Sequence, residues 1–298
     1  MLKSFNQDMY FDTHTHYNCE EYEGRLDEIF SGLYSSGVRQ ILIAGWDHES
    51  SERACAIAAK ESSAISAGDD LEKVCAISAG DAIDMPRVMA DDDSPGRLRV
   101  LAAAGIHPLY IGDDIPACID RIAKLVEIHK VSAIGEIGLD YRKKDIDRGR
   151  QRECFEAQLE LCESHSLPAV VHSLDAAGDT LDIIRRHPGV RGVIHGFSSS
   201  AEVALECCRL GWHIGIGTAV RREGARRIQE VVRALPMERM LAETDCPYRP
   251  VKGVASVIRG LADSLQIRAI AARIASIKAL PPEAASRMLY ENAVGLFM

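Results

Sequence analysis

Eight short apolar runs recur along this chain, and stretches with helical spacing separate them. The runs are residues 9–12, 40–45, 98–104, 131–137, 169–172, 192–195, 212–217 and 240–243. Each has the length and the β-branched content of a strand. Between them, Ile115, Ile119, Ile122 and Val126 are spaced 4, 3 and 4, and Phe155, Leu159 and Cys162 continue the same pattern. That spacing puts the apolar side chains on one face of a helix. Strand followed by helix, eight times over, predicts parallel neighbours joined by helical crossovers. The closed form is an α/β fold of the (β/α)8 TIM-barrel type, which uses about 250 residues as one domain. Residues 1–298 are therefore read as a single domain, with a doubly wound open sheet as the competing arrangement. Residues 62–95 interrupt the rhythm and are read as a crossover with an extra strand or turn. After the eighth run, Ile258, Leu261, Leu265 and Ile267 have helix-compatible spacing within 254–277. Pro281-Pro282 then breaks the chain before a final helix over 283–297.

Composition narrows the setting. Apolar residues are 47% of the chain, enough for a sizeable core. Nine cysteines, an odd number without a C-x-x-C pair, argue against a disulfide framework and for a reducing, cytoplasmic location. The N-terminus lacks a signal-peptide apolar run, and no stretch approaches the roughly 20 apolar residues that span a bilayer. No membrane partner is expected. A net charge of −9 excludes a broad basic surface for nucleic acid but leaves room for a local cationic groove.

The chemistry sits at the ends of the runs. In His14-Thr15-His16, alternation along a strand points both imidazoles the same way, which suits a divalent metal. Glu136, His172, His195 and Asp245 lie at or after the ends of runs four, five, six and eight. In a parallel barrel those ends converge on one face. Six such ligands suffice for two ions sharing a carboxylate. Ions about 3.5–4 Å apart can position a hydroxide and clamp both oxygens of an in-line phosphoryl displacement. Glu136 is the natural bridge because a carboxylate has two oxygens, and Asp245 can bind one ion and take a proton from the attacking water.

The segments FDTHTH (11–16), AAGIHPLY (103–110), AIGEIGLDY (133–141), PAVVHS (168–173), VIHGFSSS (193–200) and LAETDCPY (241–248) resemble, in order and nearly end to end, those of TatD-type metal-dependent deoxyribonucleases, within the amidohydrolase-like barrels. Asn292-Ala293 and Phe297 are similar to the family's closing helix. The resemblance implies a (β/α)8 barrel, one to three divalent ions, usually magnesium, and hydrolysis of DNA phosphodiesters; two ions are expected here, magnesium first, with manganese or zinc as alternatives. By position, the metal ligands are His14, His16, Glu136, His172, His195 and Asp245, with Glu136 and Asp245 catalytic. His107 matches a further histidine expected near a substrate phosphate. The expected substrate is DNA, single-stranded or at ends, cleaved with exonuclease character.

The substrate mouth departs from the family. Leu174 stands where an arginine is frequent, Ser199 where glycine is commoner, and the loop after Tyr248 is shortened to Arg249-Pro250-Val251-Lys252-Gly253. A barrel hydrolase of a small amide, lactone or phosphoester is thus the second reading. A non-catalytic metal-binding component of a multi-protein system is the third. Arg142, Lys143, Lys144, Arg221, Arg222, Arg249 and Lys252 follow strand ends and offer local attraction for phosphate, or are ordinary solvated charges. Tyr17, Tyr110, Tyr141 and Tyr248 each follow a motif. An exposed one could stack on a base, whereas core packing is the expectation for at least two. Cys246, beside Asp245, is read as a packing residue.

Overall fold

The computed structural model describes residues 9–72, 97–144, 146–247 and 256–298. Its eight strands are β1 (Tyr10–Thr15), β2 (Val38–Ala44), β3 (Arg99–Ala104), β4 (Ala133–Asp140), β5 (Ala169–Leu174), β6 (Gly192–Ile194), β7 (His213–Ile216) and β8 (Met240–Ala242). They lie in one sheet in sequence order, and every neighbouring pair is parallel. The helices are α1 (Leu26–Ser35), α2 (His48–Glu72), α3 (Ile115–Ile128), α4 (Arg148–His165), α5 (Ala177–Arg186), α6 (Ala201–Arg209), α7 (Arg226–Ala234), α8 (Gln266–Lys278) and α9 (Pro282–Phe297). The segment after β8 closes the ring on β1. Thr15 bridges Cys246 in parallel, the Asp245 N–H donates to His14 O at 3.0 Å, and the His16 N–H donates to Cys246 O at 2.9 Å. A doubly wound sheet, which has open edges, is excluded.

Alternation sorts the core into two layers. Ile41 and Ile43 of β2 face the helices, among Ile29, Phe30, Leu33 and their neighbours. Leu42 faces inward, with Phe11, Leu101, Ala133, Val170, Val193 and Leu241 filling the barrel. Ala293, Leu296 and Phe297 of α9 join this inner layer and plug the N-terminal end. Asn292 holds α9 there by donating to Met237 O and Met240 O at 2.7 and 2.9 Å. The sequence-derived closing helix is thus the floor of the barrel.

Three expectations need correction. Strands four and five do not end at Ile137 and His172. β4 continues to Asp140 and β5 to Leu174 because Gly138, Leu139 and Asp140 keep pairing with His172, Ser173 and Leu174. The helix read into 254–277 starts only at Gln266. The Asp263 carboxylate instead accepts the Val257 and Leu265 N–H groups at 2.5 and 2.9 Å, which competes with helical bonding. The supposed crossover at 62–95 begins as the last turns of α2, and its remainder lies outside the described residues. Among the described residues, no helix is long and apolar enough to cross a membrane.

Candidate metal centre

Two of the strands that carry the candidate ligands are irregular where those residues sit. On β1, three steps from Asp12 to Thr15 match two steps on β2, from Ile41 to Ile43. On β4, two steps from Gly135 to Ile137 match one on β5, from Val170 to Val171. An extra residue on one strand flips the alternation beyond it. Phe11 and His14, three apart, therefore both reach the barrel interior, as do Ala133 and Glu136. Gly135 permits the second bulge, since a Cβ there would meet Val170 Cβ at 2.6 Å. On the regular strands β5 and β6, Val170 and His172, and Val193 and His195, share the inner face by simple alternation. Asp245 follows β8 in a left-handed backbone conformation, φ +57°, which Asp tolerates better than most residues.

The six side chains converge around Glu136, with one carboxylate oxygen turned each way. Glu136 Oε2 lies 3.5 Å from His14 Nε2 and 3.7 Å from His16 Nε2. Those two nitrogens are 3.2 Å apart and lie 3.6 and 3.3 Å from Asp245 Oδ1. Glu136 Oε1 lies 3.0 Å from His172 Nδ1 and 2.7 Å from His195 Nε2, which are 3.3 Å apart. Donor atoms at about 2.1 Å from one ion are separated by about 3.0–3.4 Å. The cage has that spacing on both sides of the shared carboxylate.

The outward-facing nitrogens decide which cage-facing atoms can ligate. His16 Nδ1–H donates to Ala44 O at 3.0 Å, and His172 Nε2–H to the Asp140 carboxylate at 3.2 Å. In the neutral form each ring then carries its lone pair on the nitrogen inside the cage, as a metal requires. His14 Nδ1 and His195 Nδ1 are buried without a hydrogen-bond partner, although Glu243 Oε1 stands 3.9 Å from the latter. His107 is the reverse case. Its Nε2 is 3.5 Å from Glu136 Oε1, close enough to group with Glu136 and His172 as a possible ligand. Yet its Nδ1 accepts the Leu109 N–H at 3.1 Å. Burial, opposed by Glu136, lowers the ring's pKa to about 4, so the imidazole is neutral and its one proton is on Nε2. His107 presents a hydrogen-bond donor to the cage, not a lone pair.

Charge in the cluster follows its geometry. Burial alone would raise the Glu136 carboxyl, but the charge of His195 and hydrogen bonds from His14 and His172 outweigh it and hold Glu136 well below the carboxylate range. Burial and then His195 lower His14 to about 4. Asp245 is likewise held down, with burial outweighed by the His16 hydrogen bond and by His14. Four imidazoles and two carboxylates, with His107 beside them as a hydrogen-bond donor, make a set that fits divalent cations.

Several supporting residues escaped the sequence reading. Asp140, Asp12 and Glu243 sit inside the motifs GLDY, FDTHTH and ETD. Their proximity to the ligands in those motifs was the available signal. Asp140 buttresses His172. Asp12 accepts the Thr244 N–H and Oγ1–H at 2.9 and 2.6 Å, tying β1 to the segment that carries Asp245. Glu243 accepts the Gly196 N–H beside His195. Burial pushes Asp12 and Glu243 each up to about 7. Tyr17 is core, packed on Tyr22 and Phe30, and Tyr141 is buried against Asp179, to which it donates at 2.5 Å. Tyr110 is exposed. Arg142 pairs with Asp140 at 3.0 Å, which occupies part of its charge, while Lys143, Lys144 and Arg222 are exposed. Tyr248, Arg249 and Lys252 lie outside the described residues. Cys246 is fully buried with its thiol pushed up to about 12, first by burial and then by Asp12, so it is packing and not a nucleophile.

Comparison with known proteins places the chain in a family. The family profile described as TatD related DNase matches residues 81–298. YabD of Bacillus subtilis (strain 168), an uncharacterized metal-dependent hydrolase, is 29% identical over 294 residues, covering 97% of this chain and 99% of its own. YcfH of Escherichia coli (strain K12), also an uncharacterized metal-dependent hydrolase, is 31% identical over 206 residues, covering 67% of this chain and 75% of its own. The crystal structure of YjjV, a TatD homolog from Escherichia coli K12, superposes with a TM-score of 0.78 at 24% identity, covering 97% of each chain.

Proposed function

The chain belongs to the TatD family of metal-dependent hydrolases, and from that premise we propose that it hydrolyses DNA phosphodiesters. Its substrate is single-stranded DNA or DNA ends, cleaved with exonuclease character. The observation that carries this reading is the pair of metal-sized ligand groups sharing Glu136, one oxygen to each, beside the donor His107. His14, His16, Glu136 and Asp245 would hold one divalent ion, and Glu136, His172 and His195 a second. Such ions, when bound, supply Lewis acidity toward a phosphoryl oxygen and a nucleophile at neutral pH. Magnesium is the metal the family resemblance implies, and the imidazole-rich donor set also suits manganese or zinc.

The chain's own groups divide the remaining work. Glu136, with a side chain only 5% exposed, stays ionised and fixes both halves of the cage. Asp245, with a side chain 37% exposed, faces the mouth and can take the proton of an attacking water. His107 Nε2–H can donate to a phosphate oxygen as negative charge builds there. A cytoplasmic setting fits the cysteines of the described residues, all free thiols.

The test uses the full chain with magnesium, manganese or zinc, on single-stranded oligonucleotides labelled at either end, beside small esters, lactones and amides. Oligonucleotide cleavage lost in Glu136→Ala and in Asp245→Ala, with circular dichroism unchanged, is the expected result. Full turnover by both variants, or hydrolysis confined to the small substrates, would refute the reading.

A further inference from the structure

Aromatic rings form a continuous path from the cage to the rim of the barrel. His16 meets Trp46 at 5.5 Å between ring centroids, Trp46 meets Tyr110 at 6.4 Å, and Tyr110 meets His107 at 5.8 Å. The Trp46 and Tyr110 planes are tilted by 48°, so neither ring's face is stacked on the other. Tyr110 is 54% exposed. Among the described residues only Met9, Ile128 and Met298 are comparably exposed large apolar side chains. Met9 precedes β1 and Ile128 ends α3, both at the opposite end of the barrel, and Met298 is the last residue. Tyr110 alone of the four stands at the strand ends that carry the cage. In a chain with 5% aromatic residues, that placement is a use of scarce material.

Behind Tyr110 is a cavity of about 280 Å³. Ile106, Tyr110 and Cys118 give it apolar walls, and Asp47, Glu49 and Arg121 supply hydrogen-bonding groups. Apolar walls with a few convergent polar groups at the edge are what a heteroaromatic ring needs. A net charge of −9 gives no broad attraction for the phosphate backbone, so contacts to the base matter more.

We propose that Tyr110 and Trp46 form a stacking platform for the nucleobase next to the phosphate held at the cage, with the adjoining cavity receiving the base's edge. The proposal rests on the nuclease reading and deepens it by assigning recognition of the base to these two rings. A platform takes a base by its π-face, which a paired and stacked duplex does not offer, so the substrate class is an unpaired nucleotide of a single strand or frayed end.

Fluorescence provides the test, because the chain has two tryptophans and Trp212 is fully buried. With magnesium present, dAMP should quench Trp46 emission saturably and 2-deoxyribose 5-phosphate should not. Trp46→Phe should lose the signal. Tyr110→Ala should weaken dAMP binding by roughly 5-fold or more, the loss that one stacked base carries, and Tyr110→Phe should restore it. In cleavage assays, an abasic residue beside the scissile phosphate should lower kcat/KM for the unmodified protein but not further for Tyr110→Ala. Equal binding of dAMP and the sugar phosphate, or indifference of both assays to Tyr110→Ala, would overturn the platform. Should DNA be cleaved with such indifference, the platform fails and the nuclease reading stands. Should dAMP bind through Tyr110 while no phosphodiester is cleaved, the platform stands and the nuclease reading fails.

Discussion

Asp140→Asn and Asp140→Ala should weaken one half of the metal centre while leaving the other nearly intact. The Asp140 carboxylate takes the Nε2–H of His172 at 3.2 Å, and His172 then turns Nδ1 toward Glu136 Oε1 at 3.0 Å. Loss of such an outer partner costs about 10–100-fold in metal affinity, or about 1.4–2.7 kcal/mol. Asparagine keeps an oxygen that accepts from His172 but removes the charge that raises the ring's basicity, so it belongs near 10-fold. Alanine also frees the ring to rotate or change tautomer and belongs near 100-fold. The backbone at Asp140 should hold in either variant, although alanine also removes the acceptor of the Arg142 N–H at 3.0 Å. Gln151 accepts the Asp140 N–H at 2.8 Å and donates to its carbonyl at 2.9 Å, independently of the side chain. The lost Arg142 pair is a further small term, because the arginine side chain is mostly exposed. Calorimetric titration of chelator-treated protein with manganese should resolve two events. The event assigned to Glu136, His172 and His195 shifts, and the one assigned to His14, His16 and Asp245 changes only a few-fold through the shared carboxylate. Wild-type affinity in Asp140→Ala, or equal loss in both events, would refute the tautomer argument.

Two further outcomes are expected. Chelation should lower the thermal midpoint, and manganese at about 100 times its dissociation constant should return about 2.7 kcal/mol of stability per site; a midpoint indifferent to chelator would count against the cage. His213, at the entry to β7, is half-buried with its Nδ1 enclosed and without a partner, and burial followed by Arg239 lowers its pKa to about 4. The unfolded chain therefore binds a proton there that the native protein refuses, so stability is complete above about pH 6.5 and falls as pH drops toward 4. Denaturant midpoints at pH 7.5, 6 and 5 should fall less steeply in His213→Gln than in the wild type, and parallel curves would remove His213 from the account.

The barrel was legible because each strand's pattern is local. Val170 and His172, or Val193 and His195, follow strict alternation, and the ligand simply occupies the last inward position. His14 and Glu136 do not follow it with respect to Phe11 and Ala133. Counting by twos from those core residues puts both ligands on the outer face, and only the β1 and β4 bulges restore them. Bulge positions depend on how two strands share a ladder, which one strand's sequence does not record. Asp140 was hidden for a related reason. In Gly138-Leu139-Asp140 a terminal Asp reads as a turn, and its pairing with Leu174 is a tertiary fact. His107 shows the limit most clearly. The motif Gly-Ile-His-Pro marks the ring as important, but whether it ligates or donates depends on a single backbone N–H, that of Leu109.

The closure of the barrel and the assembly of the cage are the same structural event. His14 O accepts the Asp245 N–H, and the His16 N–H donates to Cys246 O, so two candidate ligands from one end of the chain are registered against a third from the other. Asp12 adds a side-chain clamp on Thr244, and Thr13 Oγ1–H donates to Ala242 O at 3.0 Å. The seam between β1 and the β8 segment is otherwise short, because regular β8 spans only Met240–Ala242 and pairs with β7. A cation bridging His14, His16 and Asp245 would therefore pull together the weakest join in the sheet. Coupling of this kind makes metal affinity a component of folding stability. It also explains why burial pressure on Asp12 is tolerated. Asp12→Ala would leave the Thr244 N–H and hydroxyl without their acceptor, at about 1–3 kcal/mol for each unsatisfied group, and the cost should appear both as a lower thermal midpoint and as weaker metal binding. Loss of stability with unchanged metal affinity would show that the seam and the cage are separate devices.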